Sequence, residues 1–115
     1  MMKIIFYIVL VAGMLVSGVL MANAPNAIHA SYDLEHQKLH VTVQHHAADR
    51  NGHFIKEVVI FKNGTEVARR DFDFQTSHRN QAMSPFAIPA GSGDTFRIIA
   101  TCNDSGLSTQ TIVVK

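Results

Sequence analysis

Seven histidines and one cysteine carry the metal-binding potential of this 115-residue chain. His45 and His46 stand where an alternating stretch runs out, the segment AADRNG follows them, and His53 heads the next β-rich run. Cys102 lies far downstream in ATCNDSGLS. Imidazole and thiolate together suit zinc, copper or iron. Cysteine is also among the most buried residue types, so residue type alone leaves Cys102 open between a core thiol and a ligand. His45, His46 and His53 are open in the same way. His29, His36, His40 and His78 stand in polar or outward settings and read as surface histidines.

Other chemistries drop out on their residue requirements. There is no G-x-S-x-G elbow, and GSGD at 91–94 reads as a turn. A zinc ribbon needs more than one cysteine. A blue-copper site needs a histidine, and usually a methionine, shortly after its cysteine, and neither residue type follows Cys102.

The elements that must position these residues have period two. In QKLHVTVQH, Leu39, Val41 and Val43 alternate with His40, Thr42 and Gln44, as on a half-buried strand. His45 continues that inward face. HFIKEVVIFK and NGTEVARRDF read as two strands joined at Asn63-Gly64, a pair that tolerates the positive φ of a type I′ turn. DTFRIIATC puts Phe96, Ile98, Ala100 and Cys102 on one face, and STQTIVVK closes the chain as a last strand. Turn chemistry such as AGSGD and NDSG punctuates these runs, and no segment carries a sustained helical stripe. The pattern predicts an all-β domain, an immunoglobulin-like antiparallel β-sandwich, with a small closed barrel as the alternative. In such a sandwich, strand ends and connecting loops can bring His45, His46, His53 and Cys102 to one end.

The chain opens with MMKIIFYIVLVAGMLVSGVLMANA, in which Lys3 is the only charge. A cationic start, an apolar run from Ile4 to Ala22 and the small-residue end Ala22-Asn23-Ala24 predict an export signal. Roughly 18 or more consecutive apolar residues can also span a bilayer, and Pro25 directly after the cleavage motif fits a retained anchor helix. Residues 1–24 are therefore expected to be a signal peptide or membrane anchor, and 25–115 one small β-sandwich domain on the periplasmic or extracytoplasmic side. Lys3 is one of ten basic residues, and the others balance the nine acidic ones. No basic patch argues for nucleic acid, and membrane contact is expected only through the N-terminal segment. A lone cysteine in an exported domain is buried and inert, paired between molecules, or a ligand.

HHAADRNGHFIKEVVIFKNG and ATCNDSGLS, taken together, resemble the iron-binding domain of desulfoferrodoxin and superoxide reductase. That family has a His-Pro-Met loop, a His-Tyr-Ile opening to a strand, and Cys-Asn-x-His-Gly-x-Trp near its C-terminus. His46 stands for the loop histidine, His53-Phe54-Ile55 for the second motif, and Cys102-Asn103, Gly106 and Leu107 for the last. The resemblance implies a mononuclear ferrous or ferric iron with equatorial imidazoles and an axial thiolate. It also implies superoxide as substrate and a separate electron donor. Carried over residue by residue, the ligands are Cys102, His46 and His53, with His29 near the family's upstream histidine and His45 able to substitute. The departures are Ala47 and Ala48 for Pro-Met, Ser105 for the histidine after the cysteine, and Ser108 for the tryptophan. They leave two other expectations open, a module that keeps the fold without a metal and a copper or zinc carrier or sensor.

Overall fold

The computed structural model describes residues 27–115, and the apolar segment 1–24 lies outside them. Eight strands follow one another: β1 (Ala27–Asp33), β2 (Lys38–Gln44), β3 (Ile55–Lys62), β4 (Thr65–Asp71), β5 (Asn80–Ala82), β6 (Phe86–Ala87), β7 (Thr95–Cys102) and β8 (Leu107–Val113). They form two antiparallel sheets. In one, β2 pairs with β1 on one side, and with β5 and β6 in succession on the other. The second runs β4-β3-β7-β8. This is the β-sandwich that the alternation predicts. No helix among the described residues is long and apolar enough to cross a membrane.

The core is what the period-two faces dictate. Leu39, Val41 and Val43 of β2 are buried, as are Phe96, Ile98, Ala100 and Cys102 of β7. They pack in one cluster with Ile28, Ile55, Val58, Ile60, Phe86, Ile88 and Val114, so both sheets contribute to a common interior. Burial of this apolar surface is the main drive holding the two layers together. Asn63 and Gly64 both take positive φ, 50° and 86°, and close the β3–β4 hairpin. Arg70 of β4 lies over the Phe86 ring with its guanidinium carbon 3.8 Å from the ring centre, tying one sheet to the other.

Three strands have no clear mark in the sequence. In β1 only Ile28 is buried, so its alternation is faint. β5 and β6 are three and two residues long, and a polar residue, Gln81, fills the buried position of β5. Pro85 precedes β6 and has no N–H to offer a ladder, which fits two short strands in place of one long one.

Candidate metal centre

The inward face of β2 does not stop where its strand does. The His45 N–H donates to the Arg79 carbonyl at 2.8 Å and the Ala47 N–H to that of His78 at 2.7 Å. These bonds carry the pairing past Gln44 as far as Ala47, with a one-residue shift after His45, while the inward–outward alternation of the chain continues. Val43, His45 and Ala47 are therefore buried, while Gln44 and His46 face solvent.

A tight turn then returns the chain. The Asp49 carbonyl accepts from the N–H groups of Gly52 (3.3 Å) and His53 (2.9 Å), and its carboxylate accepts from the Asn51 N–H at 3.0 Å. Asp and Asn side chains hold such turns by bonding the backbone two residues on. His53 emerges half-buried at the head of β3. Just beyond it, Ile55 pairs with Cys102 and Glu57 with Thr101, so Lys56 is an extra residue, a bulge of the kind that re-aims neighbouring side chains.

Cys102 arrives from the opposite direction as the last inward residue of β7, 2% exposed. Its N–H donates to the Gly106 carbonyl at 3.0 Å, closing a turn in which Gly106 has φ 88°. Asn103 fastens this turn to the His53 segment. Its N–H donates to the Phe54 carbonyl at 2.9 Å, its Oδ1 accepts from the Phe54 N–H at 2.9 Å, and its Nδ2 donates to the Gly52 carbonyl at 3.1 Å.

His45, His53 and Cys102 meet at this end of the sandwich, with one ligand atom from each lying within 4.8 Å of the other two. The two imidazole rings are 4.6 Å apart, edge to face at 75°. His53 Nε2 is buried and has no hydrogen-bond partner. A buried polar atom left this way is costly, and a metal ion is one partner that would satisfy it. His45 is 3% exposed, and burial is the largest influence holding its pKa below the usual 6.5. A bond to Gln75 opposes that shift, and the charges of His53 and His46 add to it. The site thus favours the neutral imidazole that ligates metals.

The other histidines lie elsewhere. His46 is exposed one residue past His45, outside the group, because the strand period turns it outward. His29 is exposed on β1, opposite Thr42, and is also outside the group. His36 bonds the Asp33 carboxylate at 2.7 Å, His40 is exposed, and His78 reaches the Ala47 carbonyl through Nδ1 at 2.8 Å. Ser105, where the resemblance sets a histidine, is exposed in the turn after Cys102. Beneath the group lies a residue that carried no signal in the sequence. Gln75 is fully buried, with its Oε1 2.8 Å from His45 Nδ1.

No model of a known protein family matches the sequence, and no curated protein does. Solved structures do match. A superoxide reductase in its oxidised state aligns with a TM-score of 0.56 at 16% identity, over 82% of this chain and 91% of its own. The superoxide reductase (neelaredoxin) of Ignicoccus hospitalis aligns with a TM-score of 0.54 at 18% identity, over 84% of this chain and 82% of its own. The domain has the superoxide reductase fold, the architecture that the sequence motifs imply.

The burial of His45 makes the metal-free domain sensitive to acid. Its folded pKa lies below the unfolded value near 6.5, so between the two the unfolded chain binds a proton that the folded chain refuses. The stability it contributes is complete above pH 6.5 and is lost as pH falls toward the depressed value. Denaturant midpoints of metal-free protein, measured from neutral pH downward, should fall over that window. His45→Gln should flatten the slope, and an unchanged slope would show that His45 is not held neutral.

Proposed function

We propose that the chain is an exported, mononuclear iron-binding protein of the superoxide reductase type, with His45, His53 and Cys102 as its protein ligands. The observation that carries this reading is the convergence of three donor side chains, with one ligand atom of each within 4.8 Å of the others, in a group whose His53 has a buried, unpartnered Nε2. The donor types fit iron, which accepts both imidazole and thiolate. Iron in this position would supply one-electron chemistry, with superoxide as the acceptor implied by the fold and motifs.

The chain's own residues account for the rest. His45 and Cys102 come from the interior and His53 Nε2 is itself buried, while the rest of His53 is the part of the group nearest to solvent. Cys102 must release its thiol proton on binding, which makes metal uptake pH-dependent. Arg50 and Arg79, both exposed, belong to the segments that deliver His53 and pair with His45.

The donor count also supports a second reading. Among the described residues three donors converge, fewer than the family's four imidazoles and one thiolate. Three protein donors and an exchangeable position are also common for zinc, and an imidazole–thiolate set binds copper. A copper or zinc carrier is the alternative for the same side chains. On the iron reading, the short donor set predicts weak iron affinity and slow superoxide reduction.

Titration of metal-free full-length protein with iron, followed by oxidation, should produce a thiolate-to-iron charge-transfer band in the visible. Cys102→Ser should abolish it, and His53→Ala should weaken iron retention. A superoxide-consumption assay on the same samples should show slow turnover that is lost with Cys102→Ser. If Cys102→Ser changes neither absorption nor metal content, Cys102 is a core thiol and the reading fails. Tight copper or zinc uptake with no iron uptake would favour the carrier.

Export rests on residues 1–24. A reporter enzyme that works only outside the cytoplasm, fused after Lys115, should be active. Activity instead from a reporter confined to the cytoplasm would overturn the localisation.

A further inference from the structure

We infer that Gln75 is a positioning residue for the metal, selecting the His45 tautomer that leaves Nε2 free to join His53 and Cys102. The inference rests on the metal-binding reading of this site. The neighbours of the Gln75 amide identify its two ends. One end of the side chain lies 2.7 Å from the His45 carbonyl and 2.9 Å from the Ser77 carbonyl. Only an NH₂ group can donate to two carbonyl oxygens, so this end is Nε2. The other end is then Oε1, which accepts the Ile55 N–H at 3.3 Å and faces His45 Nδ1 at 2.8 Å. An amide oxygen can only accept, so Nδ1 of His45 carries the hydrogen. A neutral imidazole has one N–H, and the lone pair therefore sits on Nε2.

This choice matters because the unassisted histidine side chain in water favours the opposite tautomer, with hydrogen on Nε2, which would block ligation there. Metal-ligating histidines generally hold their second nitrogen in such a bond, which fixes ring orientation and raises ligand basicity. Gln75 also ties together the two segments that carry the imidazoles. Its side chain bonds the His45 carbonyl, and its own N–H donates to the carbonyl of Arg50, in the loop that returns to His53, at 3.0 Å.

Gln81 provides an internal control. It too is fully buried, with Nε2 donating to the carbonyls of Ile55 (3.0 Å) and Phe74 (2.7 Å) and Oε1 accepting the Thr76 N–H at 3.1 Å. It has the structural duties of a buried amide without a bond to either imidazole.

Two measurements on the full-length chain test the assignment, with zinc as a diamagnetic probe. Nitrogen-15 NMR of metal-free protein should show the His45 hydrogen on Nδ1. Hydrogen on Nε2 would overturn the inference without the need for any variant. Zinc competition titrations should then show Gln75→Met binding about 10- to 100-fold more weakly than wild type, the usual cost of losing such a partner. Gln81→Met should keep wild-type affinity and the Nδ1–H tautomer, even if both variants melt at lower temperature. Equal zinc binding by all three proteins would sink the positioning role alone. Failure of all three to bind zinc would sink the metal reading, and the positioning role with it.

Discussion

The site depends on the inward alternation of β2 persisting past the last residue of the strand. Successive side chains on an extended chain point to opposite faces, so a one-residue slip exchanges every inward residue for its neighbour. Two backbone bonds, from His45 to Arg79 and from Ala47 to His78, keep the chain pinned alongside its neighbour beyond Gln44. They decide that His45 enters the interior and His46 does not. The same rule, applied along β7 from Phe96, brings Cys102 to the facing layer. Two strands from different sheets thus deliver their final inward residues to one place, and the Asp49 turn adds His53 between them.

Placing polar groups there has a cost that the surrounding bonds offset. Buried amides are tolerated when every donor and acceptor is used, and a half-satisfied network is worse than an apolar core. Gln75 is well supplied, and besides facing His45 it accepts the N–H of Ile55, the residue paired with Cys102 beside the β3 bulge. Asn103 fixes the other flank against Gly52 and Phe54. The one buried side-chain nitrogen or oxygen without a partner among the described residues is His53 Nε2, which belongs to the donor group itself. A satisfied surround whose unmet hydrogen-bonding demand falls on a member of the donor group is the arrangement expected of a preformed metal site.

Much of the architecture was legible because it follows local rules. β2, β3, β4, β7, β8 and the Asn63-Gly64 hairpin each have a period or a turn pair that needs no long-range knowledge. β1 was not legible, because it buries little. Neither were β5 and β6, which exist only as short rungs against β2. At the site, the parity of β2 and β7 pointed to His45 and Cys102 as inward residues, and motif order pointed to His53. The motif resemblance set His46 at the loop position, yet it is His45 that the chain brings to the group. Gln75 was invisible for a different reason. It sits in the irregular stretch DFDFQTSHRN, and its importance arises from bonds to residues 20 and 30 positions away.

X-ray absorption at the zinc edge of the zinc-loaded protein counts ligands by element and distance. The shell should hold one sulfur at about 2.3 Å and two imidazole nitrogens at about 2.0–2.1 Å, with any remaining position filled by a light exchangeable atom. A shell without sulfur, or one with a single imidazole, would contradict a centre built from His45, His53 and Cys102.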